Sequence, residues 1–246
     1  MEITNINNRH LNVQDRVLLS LRKSILDLDL PPGTVMSSVK VADMMQVSRT
    51  PVREAFIRLE HEGLVNIFPQ KETIVSLIEL KRVEQEQFLR ECLELAALKP
   101  FLQKCKKEDI QKLREINTLQ RKQAEDGNHL GSIQCDDAFH QLIFAVAEQP
   151  LSWNVIDGMS GHFRRLRFLI QYLDKVLHKS LQQQHDSLVD ALEADDHCAA
   201  QAIVRNHVRE IVGKQELLYE KFPNYFSSGQ TRDYFSANYL YEKLHF

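Results

Sequence analysis

Four residues of metal-ligating types stand in the second half of this chain at spacings that can bring them together. Asp136 and His140 are four residues apart in one predicted helix, so both side chains can face one point. His185 and His207 fall in the next-to-last and last helices of the same predicted bundle. One carboxylate and three imidazoles suit a divalent ion, zinc first, with nickel or manganese as alternatives. Four such ligands leave coordination positions for water or a small anion.

The spacing of this aspartate and histidine also has an ordinary explanation. The chain holds ten histidines, and about half of random arrangements of its aspartates and histidines contain one Asp-x-x-x-His. The pair by itself therefore decides little. Five other histidines are interpreted as surface or packing residues, namely His61, His129, His162, His178 and His197.

A second candidate site is cationic and lies on the third predicted helix. Arg49, Thr50 and Arg53 lie off the apolar stripe of this helix, and the two arginines project from the same side near its start. A recognition helix has this geometry, because its first turns enter the DNA major groove, where arginine binds guanine O6 and N7. The alternative is a solvated face on which the arginines pair with Glu54 or Glu60.

Five short elements in residues 1–78 position this helix. Apolar spacing predicts a first helix that ends at the turn 31–33, which is Pro-Pro-Gly. Ser48 is placed to cap the free amides of the third helix and Gly63 to end it. The predicted elements are helices at Val13–Leu28, Val39–Met45 and Ser48–Gly63 and strands at 64–68 and 73–77. The pattern predicts a winged helix-turn-helix.

Residues 79–220 show long helical segments with short breaks, which indicate an antiparallel all-helical bundle. The predicted helices lie at 79–103, 107–125, 130–147, 150–175, 177–194 and 196–220. The fold class is therefore mainly α, with a winged helix-turn-helix followed by a bundle. Residues 221–246 hold eight aromatic side chains, unlike a disordered tail. We expect an extension packed on its own domain or on a partner subunit; the alternative is a lid or docking segment.

The composition is that of an ordinary globular protein. Of the 246 residues, 43% are hydrophobic and 26% are charged, which excludes a disordered or collagen-like chain. With no visible signal peptide, no membrane-length apolar run and no close cysteine pair, we expect a cytoplasmic protein with no membrane partner. Nine bases balance nine acids within residues 1–78, so any DNA binding must rest on local charge placement and base contacts.

The N-terminal motif resembles a known family. The segments Val47–Ala55, Arg58–Glu60 and Glu62–Val65 are similar to the signature of the GntR family of bacterial transcription regulators. The resemblance implies a winged-helix domain in which Arg49 and Arg53 contact double-stranded operator DNA while the wing reaches the minor groove. The candidate DNA-contacting residues are Ser48, Arg49, Thr50, Arg53, Lys40 and Lys71.

Two positions depart from that family pattern. The wing tip often carries Arg-Gly in the family, and here it carries Lys71-Glu72, whose acidic member would repel phosphate. The second helix often carries a polar or basic residue where this chain has Val39, although Lys40 is adjacent.

Residues 79–220 resemble the FCD ligand-binding domain of one branch of the same family. Its motifs match Arg90 with Glu94, Asp136 with His140, His185 and His207, in that order along the chain. The resemblance implies a cavity in which the aspartate and three histidines bind a metal and a small organic acid completes its coordination. Arg90 would pair with the carboxylate of that effector. The alternative for Arg90 is a surface ion pair with Glu86 or Glu94.

These features predict a homodimeric transcription regulator, a repressor, whose helical domain senses a small carboxylate through a bound metal. A dimer is expected because helix-turn-helix proteins read two half-sites about one helical turn apart. One alternative is a metal-dependent hydrolase, although no unclaimed carboxylate offers itself as the general base. The other keeps DNA binding but makes the bundle a metal-free dimerisation module or an acyl-CoA sensor.

Overall fold

The computed structural model describes residues 3, 11–173, 175–212 and 215–227, and its N-terminal part is a winged helix-turn-helix, as predicted. The elements are α1 (Val13–Leu26), β1 (Val35–Met36), α2 (Ser38–Met45), α3 (Arg49–His61), β2 (Val65–Ile67) and β3 (Thr73–Val75). Side chains cap two of the helices. Asn12 Oδ1 accepts from the Asp15 amide at 2.8 Å, and Ser37 Oγ accepts from the Lys40 amide at 3.1 Å. These caps explain why α1 and α2 begin where they do.

The three strands form one antiparallel sheet in the order β1-β3-β2. Val35 lies opposite Ile74, and Val65 lies opposite Val75. The sequence analysis missed β1. Two residues are too few to show the alternation of a strand, and the pairing that defines β1 comes from β3.

Helix α3 begins with Ser48 as its N-cap residue and ends before Gly63 as predicted, but the capping hydrogen bond predicted at its start is absent. Ser48 occupies the N-cap position, but its side chain accepts no capping hydrogen bond, so the predicted cap is wrong. The third residue of the helix is Pro51, which lacks one of the two N–H groups that a capping serine uses. At the other end, Gly63 has φ +73° and the Leu64 amide donates to the Leu59 carbonyl at 2.9 Å. Glycine therefore ends this helix as predicted.

The C-terminal part consists of helices packed as a bundle, again as predicted for the fold class. They are α4 (Leu80–Lys104), α5 (Lys107–Glu125), α6 (His129–Val146), α7 (Pro150–Met159), α8 (Gly161–Leu173), α9 (Lys175–Glu193), α10 (His197–Val212) and α11 (Gln215–Lys221). Helix α5 packs on α6, α4 packs on α10, and α9 packs on both α5 and α10. The helix predicted over 196–220 corresponds to α10 and α11, and residues 213–214 between them lie outside the described residues.

The helix predicted over 150–175 is also two helices, which meet at Ser160. The glycines Gly158 and Gly161 flank this junction and weaken helix continuity there. Helix α8 starts directly against the N-terminal part, because a Cβ on Gly161 would lie 2.5 Å from Leu64 Cδ2. The break therefore directs the start of α8 towards the winged helix-turn-helix. This direction is set by tertiary packing, which helical periodicity in the sequence does not show.

Each part of the chain has its own hydrophobic core. One core joins α1, α2, α3 and the sheet, and the other joins the helices of the bundle and includes Phe226. Phe226 belongs to the aromatic C-terminal segment, and the Ile78 amide donates to the carbonyl of its neighbour Tyr225 at 2.7 Å. The start of that segment thus packs on its own chain, and residues 228–246 lie outside the described residues. Among the described helices, none is both long and apolar enough to cross a bilayer.

Candidate metal centre and nucleic-acid interface

Three helices of the bundle bring the four predicted metal-binding residues together. Asp136 and His140 lie one turn apart on α6, His185 lies on α9, and His207 lies on α10. All four side chains are buried, and one ligand atom from each lies within 4.8 Å of the others. Sequence spacing could place only the two residues on α6, and the packing of α9 and α10 supplies the other two.

The ligand atoms converge on one point. His185 Nε2 lies 3.3 Å from His207 Nε2 and 3.5 Å from Asp136 Oδ1. His140 Nε2 lies 3.9 Å from Asp136 Oδ2. Three imidazoles and one carboxylate at these separations form a mixed nitrogen and oxygen set of the kind that binds zinc and similar divalent ions.

The opposite ring nitrogen of each histidine faces a side-chain oxygen. The three contacts are His140 Nδ1 to Glu94 Oε2 at 3.1 Å, His185 Nδ1 to Gln120 Oε1 at 3.0 Å and His207 Nδ1 to Gln184 Oε1 at 3.2 Å. An Nδ1–H that faces an oxygen leaves the Nε2 lone pair free, which is the arrangement of metal-ligating histidines. All three Nε2 atoms therefore point inward as acceptors.

Burial keeps two of these imidazoles neutral. The pKa of His185 falls to about 3 and that of His207 falls well below its usual value, first because burial disfavours the charged ring and then because of neighbouring positive groups. Burial alone would raise the pKa of Asp136, but Arg167 and His185 outweigh it and hold that pKa well below its usual range. The cluster thus offers an ionised carboxylate and, at His185 and His207, two unprotonated rings at neutral pH.

Imidazole nitrogens of the cluster also lack a hydrogen-bond donor, and a bound cation would satisfy their lone pairs. His140 Nε2 is buried and has no hydrogen-bond partner among the described residues. His185 Nε2 and His207 Nε2 face each other at 3.3 Å with both Nδ1 atoms directed at amide oxygens, so two lone pairs are opposed. The residues present therefore fit a bound divalent ion.

Arg90 is buried beside this cluster. Its Nε donates to Glu94, and its Nη2 lies 3.8 Å from Asp136 Oδ2 with no hydrogen-bond partner among the described residues. Its guanidinium carbon lies 5.6 Å from the ring centroid of Phe163. Of the alternatives for Arg90, the ion pair with Glu94 forms, but it lies inside the bundle rather than on the surface. Glu86 pairs with Arg82 rather than with Arg90, its Oε1 lying 2.8 Å from Arg82 Nε.

Sequence reasoning missed several neighbours of the cluster, among them one arginine of the run 164–167. Arg167 is the one that reaches it, donating through Nη2 to Asp136 and through Nη1 to Asp137 at 2.8 Å. These two carboxylates outweigh burial and raise the pKa of Arg167. The glutamines Gln120, which is buried, and Gln184, which is half-buried, carried no motif, because glutamine is common on exposed helix faces and their positions here result from helix packing.

A cavity of about 600 Å³ lined mostly by polar residues opens between α5, α6, α8 and α9. Gln182 on α9 lies one turn before His185, and Gln171 on α8 lies one turn after Arg167. Two buried atoms of its lining, Gln171 Oε1 and Gln182 Nε2, have no hydrogen-bond partner among the described residues. The cavity can therefore receive a polar small molecule next to the cluster.

The predicted DNA-contacting residues are all exposed, on three segments of the winged helix-turn-helix. Arg49, Thr50 and Arg53 are exposed on the first turns of α3, and Ser48 precedes them. Lys40 is exposed on α2, and the exposed Lys71 lies in the turn between β2 and β3. Within the described part of the chain, neither arginine forms an ion pair. Glu60 instead accepts from the Ile67 amide at 2.9 Å.

Of the alternative interpretation, the solvent exposure of the two arginines is observed, whereas the predicted pairing with Glu54 or Glu60 is not formed among the described residues. The arginine that does pair on α3 is Arg58, whose Nη1 lies 3.1 Å from Asp15 Oδ1 on α1. Arg49 and Arg53 remain free to bind a partner, and they lie at the positive end of the helix dipole, where anions bind favourably.

Comparison with known proteins identifies both parts of the chain. Residues 13–75 match the gntR family of bacterial regulatory proteins, and residues 87–210 match the FCD domain. An uncharacterised HTH-type transcriptional regulator in an unstable DNA locus of Streptomyces ambofaciens is 32% identical over 221 residues, covering 90% of this chain and 92% of the relative. The HTH-type transcriptional repressor RspR of Escherichia coli K12 is 30% identical over 217 residues, covering 87% and 94%.

The fold is shared with solved structures. Escherichia coli McbR/YncC superposes with a TM-score of 0.72 at 19% identity and covers 86% of this chain and 99% of its own. A transcriptional regulator of the GntR type from Rhodococcus sp. RHA1 gives a TM-score of 0.67 at 21% identity, covering 82% and 96%. At these identities the likeness establishes the fold alone.

Proposed function

The chain belongs to the gntR family of bacterial regulatory proteins and carries an FCD domain, and from this premise we propose that it is a homodimeric, cytoplasmic repressor controlled by a metal-bound carboxylate. Its relatives are transcription regulators, so the chain is a regulator and the hydrolase alternative falls away. Repression is proposed because RspR carries that name. The domain bounds proposed are 1–78 for DNA binding, 79–220 for effector binding and dimerisation, and 221–246 for the extension.

The inward orientation of three imidazole Nε2 atoms supports the metal site more than any other observation. Asp136, His140, His185 and His207 would hold the ion, with zinc proposed first and nickel or manganese as alternatives. A divalent ion bound there supplies positive charge and open coordination positions for an effector oxygen. The side chains that fix each Nδ1 keep the rings in the required tautomer before any ion arrives.

Arg90 is the residue proposed to bind the effector carboxylate. Its unpartnered Nη2 is buried next to Asp136, so a carboxylate placed there would satisfy it. The pair with Glu94 fixes the guanidinium in position without using this nitrogen. The cavity lined mostly by polar residues would receive the remainder of a small organic acid.

The exposed arginines of α3 are proposed to read bases. Arg49 and Arg53 would enter the major groove of operator DNA, with Ser48 and Thr50 beside them at the helix start. Lys40 and Lys71 would contact phosphates from α2 and the wing. A dimer would present two such helices to two half-sites.

Metal analysis of the purified protein tests the proposed centre. We expect one zinc per chain in the wild type and a loss of nearly all of it in a His185→Ala, His207→Ala double variant, because two of four ligands are gone. A His61→Ala, His197→Ala double variant makes the same chemical change away from the cluster and should keep its zinc. Circular dichroism confirms that each variant is folded. Equal zinc in the wild type and the ligand variant contradicts the site.

Binding to operator fragments selected from random DNA tests the recognition helix. We expect Arg53→Ala to lose about 1–3 kcal/mol of discrimination at one base pair, the value of a bidentate arginine–guanine contact. Arg58→Ala removes an arginine about 140° around the same helix and should leave base preference unchanged. Uniform weakening of all sequences by Arg53→Ala would show a phosphate contact instead.

A further inference from the structure

A series of ion pairs leaves the metal cluster along α8. Arg167, which is buried, donates to the cluster residue Asp136 and, at 2.8 Å, to the next residue Asp137. The second oxygen of Asp137 lies 3.1 Å from Arg164 Nη1. Arg164 and Arg167 are neighbours one turn apart on α8, so the two arginines share one carboxylate between them. We call this the inner half of the ion-pair chain.

The same series continues into the winged helix-turn-helix. Arg164 Nη1 lies 3.8 Å from Asp157 Oδ1, and the other oxygen of Asp157 lies 3.1 Å from Arg22 Nη1 on α1. Arg22 Nε in turn donates to Glu62 Oε2 at 2.6 Å. Glu62 is the C-cap of α3, the helix that carries the exposed arginines. This outer half of the ion-pair chain therefore ends on the proposed recognition helix.

We propose that the ion-pair chain transmits the charge state of the metal cluster to α1 and to the end of α3, with Arg164 as the positioning residue that joins its two halves. This inference rests on the proposed function and adds the route by which the cluster and the DNA-binding elements are coupled.

The coupling is possible because each arginine of the ion-pair chain contacts more than one carboxylate. The Asp136 oxygen that accepts from Arg167 is also the one that lies 3.9 Å from His140 Nε2, so ligation and pairing compete for it. When the negative charge of Asp136 is neutralised, Arg167 pairs more strongly with Asp137. Asp137 then pairs less strongly with Arg164, and Arg164 shifts towards the other carboxylates that it contacts.

Those other acids lie at the junction with α1. Arg164 Nη2 is 3.6 Å from Asp27 Oδ1, next to the end of α1, and Asp157 is shared with Arg22. A change in the position of Arg164 therefore changes the pairing of Arg22 and Glu62. The Arg167–Asp136 link is buried, where charge interactions are strongest, the Arg164–Asp137 link is half-buried, and the side chain of Asp157 is 42% exposed.

Other contacts of α8 with the winged helix-turn-helix do not involve the cluster. Arg165 Nη1 donates to the Ser76 carbonyl at 2.6 Å, and His162 Nε2 lies 3.0 Å from the Gly63 carbonyl. These contacts hold the start of α8 in place and provide the fixed point against which Arg164 can move. Among the described residues, the ion-pair chain is the series of charged contacts that runs from Asp136 to α1.

Operator binding with and without zinc tests the proposal in the Arg164→Gln variant. In the wild type we expect zinc loading to change the affinity for a selected operator fragment about fivefold or more relative to chelator-treated protein. In Arg164→Gln that ratio should fall towards one, with zinc stoichiometry unchanged. Arg114→Gln is the matched control. Arg114 is also an arginine of the bundle that pairs with two carboxylates, Asp190 and Glu193, and it lies outside the ion-pair chain. It should keep the wild-type ratio.

Hydrogen exchange provides a second measurement that does not require DNA. Zinc loading of the wild type and of Arg114→Gln should change amide exchange in α1 and in the last turn of α3, and Arg164→Gln should lose this change. Reciprocity requires operator DNA to change zinc affinity by the same factor as zinc changes operator affinity.

The outcomes that overturn the route differ from those that overturn the function. Arg164→Gln with the wild-type ratio and wild-type exchange response overturns the ion-pair chain, and so does a wild type whose α1 and α3 exchange is unaffected by bound zinc. Wild-type protein that binds no zinc refutes the proposed centre itself, and the metal stoichiometry shows which of the two has failed.

Discussion

Gln120 is a residue whose importance depends wholly on what its amide faces. Its Nε2 donates to Asp136 Oδ1 at 3.4 Å, which directs its oxygen to His185 Nδ1 at 3.0 Å. One side chain thus orients two of the four candidate ligands. The same logic holds for Gln184, whose nitrogen donates to Glu210 while its oxygen faces His207.

We therefore predict that Gln120→Leu lowers zinc affinity by about 10–100-fold, the usual cost of removing an outer partner of a metal ligand. Competition with a fluorescent zinc chelator measures the affinity. Gln111→Leu makes the same change at an exposed position of the same helix and should bind zinc like the wild type. Equal affinities for the two variants would show that helix packing alone orients His185.

At this scale, the sequence predicted the candidate ligands but not the residues that orient them. Asp136 and His140 are visible because helical spacing places both on one face, and His185 and His207 came from the resemblance. Gln120, Gln184 and Arg167 could not be predicted, since their roles arise from which helices pack together. Arg90 was predicted to face the cluster or to pair with an acid, and the structure shows that it does both.

At the scale of elements, the contact between α8 and the winged helix-turn-helix depends on a neutral histidine. The Glu79 amide donates to His162 Nδ1 at 3.1 Å, and His162 Nε2 lies 3.0 Å from the Gly63 carbonyl, to which it donates. Both ring nitrogens are therefore used in one tautomer. Burial, followed by the charges of Arg165 and Arg82, holds the pKa of His162 well below its usual value.

We predict that this histidine makes the protein less stable in acid. The unfolded chain takes up a proton on His162 below about pH 6.5 while the folded chain does not, so the free energy of unfolding falls as pH falls, by up to about 1.4 kcal/mol per pH unit. His162→Gln can form similar hydrogen bonds and does not titrate. Urea unfolding of metal-free protein should show the wild type losing stability relative to this variant between about pH 6.5 and 5.

Comparing the wild type with His162→Gln isolates the contribution of His162. The pKa values of His185 and His207 are also lowered, but both residues are present in both proteins. Stability curves that run parallel over this pH range would show that His162 is protonated in the folded state. The variant also tests the junction itself, since a large loss of stability at pH 7.5 would show that glutamine does not replace the ring.

The break between α7 and α8 shows why element boundaries were only partly predictable. Residues 150–175 have continuous apolar periodicity, and periodicity reports which face is buried, not whether one axis continues. The break at Ser160 instead follows from the close approach of Gly161 to Leu64 in the other part of the chain. The ends of α3 and α5, by contrast, were marked locally by Gly63 and Gly127.

At the scale of the whole molecule, the contact with the winged helix-turn-helix, the metal cluster and the cavity are arranged in order along α8. Its first residues contact the winged helix-turn-helix, its middle reaches the metal cluster through Arg167, and its last turn reaches the cavity through Gln171. The metal cluster and the cavity thus lie further along α8 than the residues that contact the winged helix-turn-helix. A rigid element that spans both sites is a physical connection through which each can affect the other.

Charge at the same scale determines how operator binding should respond to salt. The chain has a net charge of −3, and residues 1–78 carry as many acids as bases, so the long-range attraction to DNA is weak. If Arg49 and Arg53 contact bases, Lys40 and Lys71 remain for phosphates, which gives four phosphate contacts in a dimer. Each contributes about −0.9 to the slope of log affinity against log salt concentration, for a total of about −3.6.

We predict this shallow slope for the wild type, measured by fluorescence anisotropy on a selected operator between about 50 and 200 mM salt. Lys71→Gln should reduce its magnitude by about 1.8, because a dimer loses two phosphate contacts. Arg53→Ala should leave the slope unchanged while it relaxes base preference. A wild-type slope near about −7 would mean that both arginines contact phosphates as well, and it would assign sequence reading to residues other than Arg49 and Arg53.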